Sequence, residues 1–360
     1  PHQAKTTHQA VSTPIVKGKQ ALRDVPQSIT VVTEKLMTDR NLDDLKDLLR
    51  TTAGITFQAG ETGEEDVRLR GFSLSQAGDL YIDGMRDPSL YERDTFNNDR
   101  VEVLKGSASM LFGRGSTGGV VNQVSKQPFL MTQHEVQVGV GTGKQVRLTG
   151  DFNIQTGAEA ALRMNVMVHE ADNDGATESK KGFAPTYRWG IGTNDEFSVG
   201  FMHLEYDNNP IYNHPWFSQN GKIVPKLKAK NFYGLDSDYN RGNATYGTVS
   251  HLHRFGDGGE LKTTLRQGQY KRELWATVVR FATGTTLDNS SDNTVLTRAS
   301  KGRISETAGT VLQSDYNNKF HLAGIRHNVI TGLDWSRDEA IRAKRSADTS
   351  GSSRPAPQSS

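Results

Sequence analysis

Two stretches hold residues whose types and spacing suit chemistry. In LFGRGSTGGVVNQV (Leu111 to Val124), Gly113, Gly115 and Gly118 have the G-x-G-x-x-G spacing of a dinucleotide-binding turn. That turn works when a strand precedes it and a helix follows, so that the helix N-terminus faces a pyrophosphate. Here Gly119 leads into VVNQV, whose β-branched Val120, Val121 and Val124 favour a strand, and no lysine follows the glycines as a P-loop requires. The glycines read instead as a tight turn into a strand. His251 and His253 alternate onto one face of a strand, which is compatible with metal ligation. Their place near a short turn, beside Phe255, weighs against that, and no metal is assigned. No nucleophile, base and oxyanion site are arranged together, so an enzyme is not expected.

The composition narrows the class. Only 34% of the 360 residues are hydrophobic, mean hydropathy is −0.62, and 36 residues are glycine. Soluble domains usually carry more apolar residues. Transmembrane β-barrels tolerate such values because their strands alternate lipid-facing apolar with lumen-facing polar residues. No apolar run reaches the roughly eighteen residues of a membrane helix. Cysteine is absent, which fits export through an oxidising compartment but does not require it. A formal charge of +2 gives no reason to expect nucleic acid as a partner.

Two kinds of element would position these residues. The first third reads as a small mixed α/β domain. SITVVT (Ser28 to Thr33) is a strand. Asn41 is expected to cap a helix carrying Leu42, Leu45, Leu48 and Leu49, with Gly54 as its stop. Short strands follow in VRLRGF, DLYIDG and RVEVLKG, then a helical turn in SASMLFG. After about Gln133 long alternating runs begin. Val136, Val138 and Val140 share a face; Val146, Leu148, Phe152 and Ile154 oppose Arg147, Thr149, Asp151 and Asn153. About nine such strands are expected, each roughly the length of a tilted membrane crossing. Alternate connections are short, namely QTGAE, TND, FGDGG and YNNK. Most of the others are long: Ala171 to Pro185, Asp207 to Asn243, and about Ala282 to Arg303. Short turns on one side and long loops on the other are the habit of outer-membrane barrels. Tyr187, Trp189, Tyr206, Tyr246, Phe255, Trp275 and Trp335 are expected in aromatic girdles, and His251 and His253 at the periplasmic interface.

DVPQSITVVT, LLRTTAGI, RLRGF, LYIDG and RVEVLKGSASMLFGRGSTGGVVNQVSK, in this order and spacing, resemble the plug domain of TonB-dependent outer-membrane siderophore receptors. DLYIDGMRD followed by YERDTFNNDRVEVLKGSASMLFGRG is most similar to the ferric-catecholate branch. The resemblance implies a mixed α/β plug inside an antiparallel outer-membrane β-barrel of about twenty-two strands, of which this chain supplies about nine. It divides the chain into an N-terminal segment (1–23), a plug (24–131) and an incomplete barrel (132–360). The implied activity is uptake of a ferric siderophore across the bacterial outer membrane, a catecholate or else a hydroxamate or mixed-ligand complex. A passive porin or adhesin is a remote alternative. The implied partners are TonB with ExbB and ExbD, lipopolysaccharide and outer-membrane lipid. A monomer is expected, with no intrinsic cofactor and the ferric siderophore as cargo. A TonB box is expected upstream of Pro1, since AVSTPIV is a poor match, and the chain is expected to be part of a protein about twice as long, ending in an extracellular loop.

By position the family pattern points to Glu61, Gln76 and Tyr91 as siderophore contacts, with Arg93 close by; each also suits a solvated loop. Arg114 is a further candidate, or a plug–barrel pair. Arg70 matches the first of two plug arginines that lock to barrel glutamates, while the second position is Lys105, a point charge without a fork. Between Asp207 and Asn243 lie Tyr212, His214 and Trp216, then Lys222, Lys226, Lys228 and Lys230. Ferric tris-catecholate is a polyanion with aromatic faces, which rings and ammonium groups favour. The lysines equally suit lipopolysaccharide phosphates, so Tyr212 and Trp216 are the stronger ligand candidates.

Overall fold

The computed structural model describes residues 12–13, 20–21, 29–53, 55–59, 65–69, 72–73, 80–87, 91–105, 119–209, 214–228, 231–291, 293–343 and 354–355. Glu61, Gln76, Arg70, Arg114, Tyr212, Lys230, Gly54, the glycines of the 113–118 turn, the SASMLFG turn and most of residues 10–16 lie outside them.

Strands β1 (Ser12–Thr13) and β2 (Gln20–Ala21) pair with each other. The plug proper begins at β3 (Ile29–Thr33), whose last residue caps helix α1 (Glu34–Asp39) by accepting a hydrogen bond from Leu36 N at 3.4 Å. Helix α2 (Leu45–Arg50) follows. Its cap is Asp44, which accepts from Asp47 N at 2.7 Å; Asn41 instead turns the chain between the helices at φ 50°. A small sheet comprises β4 (Ile55–Ala59), β5 (Glu65–Leu69) and β6 (Phe72–Ser73). The main plug sheet adds β7 (Leu80–Ile82), β8 (Met85–Arg86), β9 (Asn98–Lys105) and β10 (Gly119–Ser125), in the order β3-β9-β10-β7-β8. Leu45, Leu48 and Leu49 of α2 pack against Val101, Val103 and Val121 of that sheet, so the helix spacing read from sequence covers its apolar face.

Nine strands then run as an antiparallel meander. They are β11 (Gln133–Gly141), β12 (Gln145–Gly157), β13 (Ala160–Asn173), β14 (Ala176–Trp189) and β15 (Asp195–Asn208), followed after an inserted hairpin by β18 (Tyr239–Arg254), β19 (Glu260–Phe281), β20 (Val295–Leu322) and β21 (Ile325–Ala343). The hairpin is β16 (Trp216–Gln219) with β17 (Lys222–Pro225), and β22 (Arg354–Pro355) adds to β20. Burial is inverted relative to a soluble sheet. Arg147, Asn153, Arg163 and Asn165 are buried toward the plug, whereas Val138, Val140, Val199 and Leu333 are exposed outward. An apolar outer face and a polar inner one are what a strand in hydrocarbon requires.

Three expectations are corrected. The segment from Ala171 to Pro185 is not a loop: β13 and β14 continue through it and turn at Asp174 and Gly175, where φ values of 49° and 99° suit a residue that forms local hydrogen bonds and one without Cβ. YNNK lies inside β20, and the turn falls at Ala323 and Gly324. Paired strands satisfy their own backbone groups in water as well as in lipid, so nothing stops them at the membrane surface; β19 and β20 reach 22 and 28 residues. Tyr206 and Tyr246 do not join a girdle, because both occupy inward-facing register positions and pack with the plug's Tyr91 and Phe96.

Val199 stands in the middle of the outward row Phe197, Val199, Phe201. Val199→Arg, two residues in from Phe197 at the short-turn end of β15, is expected to cost about 1–2 kcal/mol of stability in a bilayer, between the small penalty at the interface and the larger one at the midplane, checked by reversible urea unfolding of the full-length receptor in lipid.

Candidate functional site: the plug–barrel seam and an extracellular loop

The inward faces of the barrel strands meet the plug through charged side chains that the outward alternation leaves pointing at it. Asp94 lies on the plug loop between β8 and β9 with its side chain almost fully buried. Arg147 of β12 donates to both its carboxylate oxygens, at 2.7 and 2.9 Å, and Lys180 of β14 reaches it at 3.2 Å. Phe96 N donates a further bond at 2.8 Å. Arg147 also approaches Asp43, at 3.3 Å. Burial alone would raise the Asp94 pKa; Lys180 and Arg147 outweigh it and hold the carboxyl at about 2.

Two further anchors flank this one. Arg266 of β19 donates to the Ile82 carbonyl at 3.1 Å and to Asp83 at 3.0 Å, gripping the turn between β7 and β8. Its guanidinium also lies 4.6 Å from the Tyr246 ring centre. Asp83 is shaped for this role: at φ 53° it opens the turn, and its carboxylate also accepts from Ser125 N and Oγ, both at 2.7 Å. At the exit of the plug, Lys126 lies 3.2 Å from Glu34 and 3.7 Å from Asp151, which Arg163 holds in a two-pronged pair at 2.8 and 2.9 Å. Arg163 donates as well to the Gln127 carbonyl, at 2.9 Å, tying the segment before β11 to the wall.

Tyr91 and Arg93, expected as siderophore contacts, are buried in this structure. Tyr91 is buried, stacks on Tyr270 of β19 with ring centres 5.3 Å apart, and donates its hydroxyl hydrogen to Asp87 at 2.5 Å. Arg93 donates to the same carboxylate at 2.9 and 3.2 Å. Burial, and next the Asp87 charge, push the Tyr91 phenol well above its usual value, so it stays a donor. The neighbouring Glu92 is raised by burial, against the pull of Lys46 and Lys180, and accepts from Asn208 at 3.1 Å. The Pro88 to Asn98 stretch, over its described residues 91–98, is therefore a seam packed on the wall. Lys105 ends β9 opposite Gly119, half-exposed.

The extracellular loop is the other candidate surface. Trp216 is 52% exposed on the β16–β17 hairpin, Lys222 is exposed at the hairpin tip, and Lys226 and Lys228 are exposed just after it. Behind them Phe217 stacks on Phe281 of β19 at 4.3 Å, and Tyr233 packs with Val279 and Leu296. His214 Nε2 donates to the Asn231 carbonyl at 2.8 Å, so this histidine is committed to holding the loop. Sequence reading found the loop but missed Asp94, Arg147, Lys180 and Arg266. A cation on the inward register of a strand was the available signal, and its plug partner had none.

A wall with an apolar outer face and a polar inner one, packed on a charged α/β domain, is the arrangement of an outer-membrane β-barrel with a plug. Residues 21–120 match the TonB-dependent receptor plug domain. The catecholate siderophore receptor Fiu of Escherichia coli K12 is 28% identical over 343 residues, covering 89% of this chain and 45% of that protein. Its crystal structure superposes with a TM-score of 0.81 over 89% of this chain and 50% of that one. The siderophore receptor PiuA of Acinetobacter baumannii gives 0.84 at 25% identity, over 94% and 49% respectively. The chain thus carries the plug domain of TonB-dependent receptors and, over 89% of its length, is similar to β-barrel receptors of the bacterial outer membrane. It spans about half the length of the curated relatives it matches.

Asp94→Asn leaves Arg147 and Lys180 facing a neutral amide and is expected to weaken plug docking by about 3–5 kcal/mol. Because the folded pKa of Asp94 lies below the ordinary 3.8, its contribution is complete above that value and is lost as pH falls through about 2. Hydrogen exchange of residues 91–99 checks both: protection should hold from neutral pH down to the unfolded value, then collapse, and should be lower throughout in the variant.

Proposed function

We propose that the protein of which this chain is part imports a ferric siderophore across the outer membrane, and that the siderophore is a catecholate. The observation that carries the ligand class is the segment 216–228, which exposes an indole at Trp216 on the β16–β17 hairpin and ammonium groups at Lys222 on the hairpin tip and at Lys226 and Lys228 just after it. A ferric catecholate is anionic with aromatic faces, and stacking together with charge attraction would hold it there. The names of Fiu and PiuA, as receptors for a catecholate siderophore and a siderophore, support the same reading.

The transport step follows from the seam. The proton-driven partners are TonB with ExbB and ExbD, pulling on the segment ahead of the plug. The pull must part Asp94 from Arg147 and Lys180, and Asp83 from Arg266, before the lumen opens. Breaking such pairs is tolerable when water enters to replace the lost partner, so a charged seam reseals where an apolar one would resist hydration.

Tryptophan fluorescence of the full-length receptor, titrated with a ferric catecholate and a ferric hydroxamate, tests the ligand class. Saturable quenching by the catecholate is expected, with Trp216→Ala weakening it by roughly tenfold, the equivalent of ~1.4 kcal/mol. Saturation by the near-neutral hydroxamate alone would reject the catecholate and leave transport of a siderophore standing.

A further inference from the structure

On the outer wall, at the end of the barrel with the short turns, aromatic rings form a continuous row. Tyr187, Trp189, Phe197, His251, His253 and Phe255 each contact the next. Two imidazoles are unusual company in such a belt. Both turn to one acceptor: His251 Nε2 and His253 Nδ1 lie 2.8 and 2.7 Å from the same oxygen of Asp195. The ladder between β15 and β18 dictates this meeting, because Asp195 is directly opposite His253 and Phe197 opposite His251.

We propose that Asp195, His251 and His253 bind a divalent transition-metal ion of the borderline class, such as zinc, cobalt(II), nickel or copper(II). The three ligand atoms all lie within 4.8 Å of one another. A tetrahedral ion with bonds of roughly 2.0–2.1 Å holds its donors about 3.3 Å apart, so each ring nitrogen draws back from the Asp195 oxygen by about half an ångström and the two rings settle to the same spacing. The ion replaces the ring protons now aimed at the carboxylate, and water completes its coordination. Two nitrogen donors select against calcium and magnesium, which prefer all-oxygen shells.

The surroundings hold the ligands in place. Phe197 stacks on His251 with ring centres 4.5 Å apart and planes within 14°, and Phe255 sets its edge to His253 at 4.6 Å. All three ligands sit on paired strands, which place side chains more tightly than loops do. Their side chains are 34–47% exposed, which leaves an ion a way in. The site faces away from the plug, so it is separate from the path of the cargo and clips β15 to β18 at the membrane edge.

The test uses untagged full-length receptor in detergent, stripped with chelator and titrated with Co²⁺ at neutral pH. One saturable equivalent with visible absorption of a low-coordinate cobalt ion is expected, displaced by Zn²⁺. His253→Ala and the nearly isosteric Asp195→Asn should each weaken binding by roughly tenfold or more. His203→Ala should leave it unchanged, since His203 pairs with Glu205 elsewhere on the same outer face. The thermal unfolding of every variant in chelator is compared with the parent to show that the barrel is intact. No saturable binding to the parent, or equal binding to the Asp195→Asn and His253→Ala variants, would overturn the site.

Discussion

A strand that crosses hydrocarbon must give lipid an apolar face, and the rest of this structure depends on that constraint. Successive side chains point to opposite sides, so a lipid-facing Val, Phe or Leu obliges its neighbour to look into the lumen. In β12 and β13 those neighbours are Arg147, Asp151, Asn153, Arg163 and Asn165, all buried against the plug. The lumen is thus charged for a reason that has nothing to do with cargo. Any domain that fills it must bring matching charges, and Asp94, Asp83 and Lys126 do so.

That arrangement suits a gate more than a permanent core. A buried ion pair gains little net stability because desolvating two charges offsets most of their attraction. It is nevertheless directional, since the fork of Arg147 meets both oxygens of Asp94 in one geometry. Aromatic stacking of Tyr91 on Tyr270 adds area at the same seam, with the phenol hydrogen committed to Asp87. The plug is held in one position by geometry, through charged contacts rather than an apolar interface alone.

The same periodicity that builds the lumen also builds the outer belt. His251 and His253 share a face because they are two residues apart; Asp195 joins them because β15 and β18 are neighbours despite the 30 residues between Asn208 and Tyr239, among which the β16–β17 hairpin is set aside. That hairpin, which carries Trp216, is the complementary product: a length of chain excluded from the wall is left exposed.

What the amino-acid sequence determined by itself is local and periodic. The Leu45, Leu48 and Leu49 stripe makes a helix, VVNQV makes a strand, and alternation from Gln133 onward makes a barrel wall with an inside and an outside. Even there the limits of elements slipped. Asp44, not Asn41, caps α2, and β14 already runs through KKGFA opposite β13, because hydrogen bonding between paired strands continues wherever a partner is present. Tertiary structure alone decided the pairs. Asp94 is an ordinary loop acid in the sequence, 53 residues from Arg147, and Lys180 lies in what reads as a loop. Their meeting depends on the curvature of a sheet and the position of a plug within it. A one-dimensional pattern encodes which face a residue takes, but not which distant residue waits across the gap.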